Sequence, residues 1–224
     1  MRKRIKHINK VMDNPISHQK KVWKYLIKKG KKTVFGTEHQ FYKINNYAAF
    51  KKQIPIREYA EISDYIIKMR QGERNILWPG YVNKFAKSSG TTNSKSKLIP
   101  ITKDSLNNCH YKGGKDMLSL YENNFPKLNI YNGKGLMLGG SLSKHKSIKT
   151  GDLSAILIDQ FPSWVSYHRV PDVKTALMSK WDDKLNKIAI QASKENITNL
   201  TGVPSWMLIL LKRVLEITGK ENIS

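Results

Sequence analysis

The sequence predicts an α/β fold in which helices surround a mixed sheet. Three observations carry that expectation. Short apolar runs at Lys84-Phe85-Ala86, Leu98-Ile99-Pro100-Ile101, Gly135 to Leu138 and Asn196 to Leu200 read as strands, and they alternate with longer segments of helical periodicity. Polar or glycine-bearing stretches follow several of the strands, where α/β folds hold their ligands. The 224 residues, 39% hydrophobic and 25% charged, suit one sizeable core or two small ones rather than a disordered chain.

Taken in order, His18 to Lys29 places Val22, Tyr25 and Leu26 on one helical face opposite lysines, and Gly30 ends that helix. Thr33 to His39 reads as a polar turn around Phe35-Gly36. A short helix covers Asn45 to Lys52 before Pro55 breaks it, and another runs from Arg57 to Gln71 with Ile62, Tyr65, Ile66 and Met69 inward. Ile76-Leu77-Trp78-Pro79-Gly80 is an extended approach to the segment between the first two strands. After them, Thr102 or Asp104 caps a helix from Ser105 to about Asn123. Gly113-Gly114 inside it costs about 1 kcal/mol per glycine relative to alanine. The pair marks either close packing on a neighbour or ligand, or a local weakness.

Gly135 to Gly140 reads as a buried strand opening into Ser141-Leu142-Ser143, and its glycine pair as a ligand turn or a plain one. Lys144 to Thr150 is a basic loop. Asp152 to Gln160 is a helix with Leu153, Ile156 and Leu157 inward, followed by the apolar turn Phe161-Pro162-Ser163-Trp164 and further helix to Tyr167. Ala176 to Glu195 is one helix burying Leu185, Ile188, Ala189 and Ala192. The strand Asn196 to Leu200 leads through Gly202 to a helix from Ser205 to about Thr218, with Pro204 in a first turn that does not need its missing N–H.

The formal charge of +23 draws attention to nucleic acid. Against it, lysines outnumber arginines 33 to 7, whereas bidentate base and phosphate recognition favours arginine. The lysines also spread along the chain, as solvated outward faces require. A basic nucleic-acid-binding module therefore ranks below the other readings. No apolar run reaches the roughly 18 residues of a membrane span, and no signal-peptide core follows Met1-Arg2-Lys3-Arg4. The single cysteine, Cys109, fits a reducing compartment, and a cytoplasmic protein is expected. Neither a protein partner nor a metal-ligand spacing is evident.

The strongest motif is Ser88-Ser89-Gly90-Thr91-Thr92-Asn93-Ser94-Lys95-Ser96-Lys97, a polar loop between two strands. Gly90 frees the backbone to turn successive amides toward one anion. The hydroxyls of Ser88, Ser89, Thr91 and Thr92 add donors, and Lys97 adds a fixed charge, so the loop suits a polyphosphate. Lys95 is a weaker candidate, equally readable as a solvated lysine. It is not a Walker loop, because no Gly-Lys-Ser/Thr closes it onto a helix.

This loop resembles the first signature of the adenylate-forming enzymes. With Trp78-Pro79-Gly80, Lys97-Leu98-Ile99-Pro100-Ile101-Thr102, His110-Tyr111-Lys112-Gly113-Gly114-Lys115 and Gly202-Val203-Pro204-Ser205-Trp206-Met207, it is similar to the Gretchen Hagen family of auxin-responsive acyl-acid amido synthetases, in its bacterial form. Phe35-Gly36-Thr37-Glu38-His39, Pro55-Ile56-Arg57-Glu58-Tyr59 and Gly151 to Ile156 extend the likeness over almost the whole chain. Asn93 and Ser94 depart from it, since the family carries a second glycine about where Ser94 stands. The family's later nucleotide motifs and C-terminal domain have no counterpart.

The resemblance implies a partial N-terminal domain of a firefly-luciferase-like, adenylate-forming enzyme, with a helical part over 1–75, the phosphate-loop hairpin over 76–102 and an α/β part over 103–224. It implies ATP and Mg²⁺ as cofactors, and a small carboxylic acid and an amino acid as substrates joined through an acyl-adenylate. Ser88, Ser89, Gly90, Thr91, Thr92 and Lys97 then hold the phosphates, Lys97 acts catalytically on the leaving charge, and Val203, Pro204, Ser205 and Trp206 contact the acid. His110, Tyr111 and Lys115 fall near where relatives hold the acid's carboxylate. The alternative is a fragment that binds nucleotide without catalysis.

Overall fold

The computed structural model describes residues 2–88, 96–128 and 130–223. They form two compact units. The first comprises the described residues up to Phe85 together with those from 96 to Phe125, and the second comprises Ala86–Ser88 together with those from Pro126 on.

The first unit is mainly helical. It opens with α1 (Arg2–Asp13), where the sequence suggested only a basic terminus, and Arg4 ties this helix to Asp116 by a double hydrogen bond. Pro15 starts α2 (Pro15–Gly30), three residues earlier than expected. The buried face of α2 is not Val22, Tyr25 and Leu26, which are exposed, but Ile27 and Gly30 with Trp23 beside them. Both sets have helical spacing. Phe41 decides between them by packing with Ile27 and Ile44, its ring lying against Gly30 so closely that a Cβ there would sit 2.7 Å from the ring.

The expected polar turn at Thr33 to His39 is instead α3 (Val34–Glu38). The Thr33 hydroxyl accepts from the Gly36 amide at 3.0 Å and donates to the Gly30 carbonyl at 2.7 Å, so one side chain joins two helix ends. The short α4 (Tyr47–Gln53) is capped by Asn46. In α5 (Tyr59–Arg70), Ile66 and Met69 are buried as their spacing predicts. Residues 74–80 are not extended: the Asn75 side chain accepts from the Gly80 amide at 2.7 Å, and the Asn75 amide donates to the Gly80 carbonyl at 3.0 Å, closing a loop.

Strands β1 (Lys84–Lys87) and β2 (Leu98–Pro100) are neighbours. Thr102 then caps α6 (Lys103–Ser105), with reciprocal bonds between the Thr102 and Ser105 side chains and backbones. A π-turn over Leu106–His110 leads into α7 (Tyr111–Asn124), so the single helix expected from Ser105 is interrupted near its start. A Cβ on Gly113 or Gly114 would meet no described atom within 4 Å, which favours local weakness over close packing for that pair.

In the second unit, β3 (Lys134–Met137), β4 (Leu142–His145) and β5 (Ile148–Gly151) come first. The stretch read as a basic loop is the β4–β5 antiparallel hairpin, paired from Leu142 with Gly151 to His145 with Ile148. Its two-residue turn holds Lys146 at a left-handed φ of 52° without the usual glycine, so no turn signal marked it. Beyond α8 (Leu153–Asp159), which buries Ala155, Ile156 and Ile158, a 3₁₀ turn over Ser163–His168 enters β6 (Arg169–Val170).

The helix expected over Ala176 to Glu195 begins later, as α10 (Trp181–Ala192), whose first turn carries Asp182 and Asp183, and a separate short helix, α9 (Val173–Ala176), capped by Asp172, precedes it. Then follow β7 (Ile197–Thr201) and α11 (Pro204–Thr218). β6 and β7 both pair parallel to β3, giving the order β6-β3-β7. Against this sheet, Leu136, Leu138 and Val170 pack with Leu185, Ile188 and Ala189 of α10 and Met207 and Leu210 of α11. All are at most 7% exposed, which makes this the main core of the unit.

Candidate functional site

The elements expected to carry the site are present in each unit. In the first, β2 brings Lys97 to the end of the polar loop. Tyr59, the first residue of α5, fixes that end: its hydroxyl donates to the Leu98 carbonyl at 3.0 Å and accepts from the Leu98 amide at 2.8 Å. The Lys97 ammonium lies 5.5 Å from the Tyr59 ring centre, a cation–π contact on an exposed side chain. The Tyr59 ring thus lies beside the Lys97 ammonium at the end of the loop. The Trp78-Pro79-Gly80 block is tied in as well, the Trp78 indole N–H donating to Asp104 at 3.1 Å, two residues after the Thr102 cap. His110 is half-buried and Lys115 exposed, and both lie around the π-turn and the start of α7.

Of the expected phosphate ligands, Ser88 directly follows β1 in the second unit and is half-buried. Ser89, Gly90, Thr91 and Thr92, with Asn93, Ser94 and Lys95, lie outside the described residues.

The second unit presents its own strand ends. β7 runs out through Gly202 into Val203 and Pro204, which open α11. Gly202 is pressed against the sheet, and a Cβ there would stand 3.0 Å from the Leu138 carbonyl and 3.1 Å from the Met207 side chain. Val203, Pro204 and Ser205 are exposed, and Trp206 is 36% exposed with its ring 5.1 Å from that of Trp181. Met207, next along, faces the core. The four residues expected to contact the acid are therefore together, at the carboxyl end of a parallel strand.

The glycine turn after β3 is closed on itself. The Gly140 amide donates to Ser154 Oγ at 3.1 Å and the Ser141 amide to Asp152 at 3.3 Å. A Cβ on Gly140 would fall 1.6 Å from Asp152 Oδ2, so only glycine fits unless Asp152 moves. From the other side, the Lys184 ammonium donates to the Gly139 and Gly140 carbonyls at 2.7 and 2.8 Å. Lys184 is only 2% exposed, and burial pushes its pKa down while the charge of Asp152 opposes that. These bonds spend the groups a ligand turn would offer, so the plain-turn reading holds. The residue that sequence reasoning missed is Lys184. Its signal was a lysine set in the apolar stripe Trp181, Leu185, Ile188, Ala189 and Ala192.

For a metal, no cluster of three or more His, Cys, Asp or Glu side chains converges among the described residues, so no step is assigned to Mg²⁺. No helix among them is long and apolar enough to cross a membrane.

Set against known proteins, residues 4–224 match the family described as "GH3 family N-terminal domain". The chain belongs to the GH3 family. Among curated relatives, the GH3 chain is 26% identical over 180 residues to the indole-3-acetic acid-amido synthetase GH3.4 of Arabidopsis thaliana, an alignment spanning 78% of this chain and 28% of that one. It is 27% identical over 139 residues to the indole-3-acetic acid-amido synthetase GH3.8 of Oryza sativa subsp. indica, covering 59% and 22%. The match thus spans under a third of each relative's length.

Among solved structures, the GH3.15 acyl acid amido synthetase superposes with a TM-score of 0.74 at 17% identity, over 94% of this chain and 38% of that one. AtGH3.15 in complex with 2,4-DB gives 0.59 at 19% identity, over 83% and 32%. At these identities the superpositions establish the fold. It is the α/β arrangement of the N-terminal part of a GH3 acyl acid amido synthetase, as the sequence predicted.

Proposed function

We propose that this chain supplies the phosphate-holding and acid-contacting part of an ATP-dependent acyl-acid amido synthetase. The observation that carries the reading is the match to the GH3 N-terminal domain over residues 4–224. The reaction it implies joins a small carboxylic acid to an amino acid: the acid is first activated by ATP, and the amine then attacks the activated acyl carbon. Relatives are named for indole-3-acetic acid, and the acid used here is left as a class.

The difficulty in activation is charge, since a carboxylate must approach an anionic α-phosphate. Fixed donors and a cation that stand in place beforehand lower that barrier without reorganising. On this reading, Ser88, Ser89, Gly90, Thr91 and Thr92 offer hydroxyls and amides to the phosphates, and Lys97 compensates the charge on the departing pyrophosphate. The double hydrogen bond from Tyr59 to Leu98 supports the assignment of Lys97, because it fixes the backbone next to that lysine. Val203, Pro204, Ser205 and Trp206 offer an apolar edge with one hydroxyl to the acid.

The test is exchange of labelled pyrophosphate into ATP, dependent on an added carboxylic acid, in a protein containing this domain with the lengths of chain its relatives carry. Exchange is expected across a panel of small acids and is expected to fall at least a hundredfold in Lys97→Ala. Its absence across a broad panel overturns the reading. The 224-residue chain alone is expected to give no turnover, and turnover from it would overturn that narrower claim.

A further inference from the structure

The parallel sheet of the second unit has two ends, and the residues expected to meet the acid occupy only its carboxyl end. At the other end, β3 begins with Lys134, β6 begins with Arg169, and Lys194 and Glu195 precede β7. With Asp172 and Lys174 these residues line an open cavity of about 560 Å³.

Arg169 is the anomaly there. It is 5% exposed, and Nε, Nη1 and Nη2 are all buried without a hydrogen-bond partner. Among the described residues no other side chain carries three such atoms. A buried cation with unmade hydrogen bonds is costly, and native structures seldom leave one so. The Phe161 ring, 5.5 Å from the guanidinium carbon, covers it but accepts none of the N–H groups in the way an oxygen does.

The carboxylates nearby are committed elsewhere. Asp172 Oδ1 accepts from the Thr175 amide at 3.0 Å, and Oδ2 accepts from the Thr175 hydroxyl at 2.7 Å and the Gln191 amide at 2.6 Å. Glu195 pairs with Lys134 at 2.6 Å. The attraction of Asp172 only partly offsets the burial that pulls the Arg169 pKa down. Four cations line the cavity against these two carboxylates. Lys174 and Lys194, both exposed, have a mobile reach that a guest could recruit.

We propose that Arg169 anchors a binding site for a small oxyanion, a carboxylate or a phosphoryl group, taken by its unpartnered N–H edge with Lys174 and Lys194 closing around it. The planar guanidinium fork matches two oxygens of either group, and burial strengthens each bond it makes. The site stands on residues separate from the polar loop and from Val203 to Trp206.

The test follows the side chain itself. The full chain, isotopically labelled at arginine, is titrated with inorganic phosphate and separately with acetate while the Arg169 Nε–H resonance is observed by NMR. A saturable shift is expected with at least one of them, and the tighter of the two names the class. Arg169→Lys is expected to weaken that binding roughly tenfold or more, because an ammonium cannot replace the fork. The double variant Lys174→Gln, Lys194→Gln changes only exposed side chains and is expected to weaken it severalfold while leaving the fold intact. A non-saturating drift equal to that caused by chloride overturns the proposal as charge screening. So does saturable binding that the lysine pair and Arg169→Lys both leave unchanged.

Discussion

Lys184 occupies a position that the periodicity of α10 assigns to an apolar side chain, and its ammonium is buried because two carbonyls need it. Removing the charge while keeping the bulk, as in Lys184→Met, leaves the Gly139 and Gly140 carbonyls without that donor. It is expected to lower stability by about 2 kcal/mol or more, read from urea unfolding. Gly140→Ala drives a Cβ toward Asp152 and should cost about 1–3 kcal/mol in the same measurement, with the loss reduced when combined with Asp152→Ala. Neither side chain's role was legible beforehand. The helical stripe showed that position 184 faces inward, but a lysine is assigned outward unless its acceptors are known, and these lie 44 and 45 residues away. The same holds for Arg169, whose burial depends on β6 pairing with β3 rather than on any local pattern. Lys97, by contrast, was legible as a loop-end cation, and the contact that positions it, Tyr59, was not.

Among the elements, those with strong local signals were read well. Thr102 was one of two expected caps, and it is the one used. Thr102→Ala should cost about 1 kcal/mol of stability by thermal unfolding, and Thr102→Ser much less. Long periodic segments such as α5 and α11 were also legible. Elements whose cause is a neighbour were not: α3 forms where Thr33 bonds back to Gly30, and the β4–β5 hairpin forms without a glycine turn. Asp172 joins α9 to α10, its carboxylate capping the start of α9 and accepting from Gln191 of α10. Burial raises the pKa of Asp172, but hydrogen bonds from Thr175, Gln191 and Lys174 outweigh it and hold the carboxyl below its ordinary value. A depressed carboxylate contributes stability that is full above the unfolded value, about 3.9, and is lost as pH falls through the folded one. Asp172→Asn should therefore show a shallower acid decline than the parent below about pH 4, measured by chemical denaturation across pH.

At the scale of the molecule, a formal charge of +23 spread over exposed lysines means self-repulsion in the folded state. Raising ionic strength from about 0.01 to about 0.15 M shortens the screening length from roughly 30 to 8 Å. The thermal midpoint is expected to rise over that range, and a fall would show that specific ion pairs outweigh the net repulsion. The two compact units were not legible, because the chain passes between them three times: inside β1 at Phe85 and Ala86, back again after Ser88, and once more at Phe125 and Pro126. The crossings inside β1 and at Phe125 and Pro126 carry no glycine or serine run of the kind that marks a linker, and the serines after Ser88 read as a ligand loop instead. Within the second unit, the first turn of α10 has a spectroscopic consequence. Trp181 rests on Trp206, beside the strand end expected to meet the acid, and Lys184, three residues on and so on the same face, grips the turn after β3. One helical turn therefore touches both the start of α11 and the turn after β3, which are remote from each other in sequence. The paired tryptophans give any change at that contact a fluorescence signal of its own.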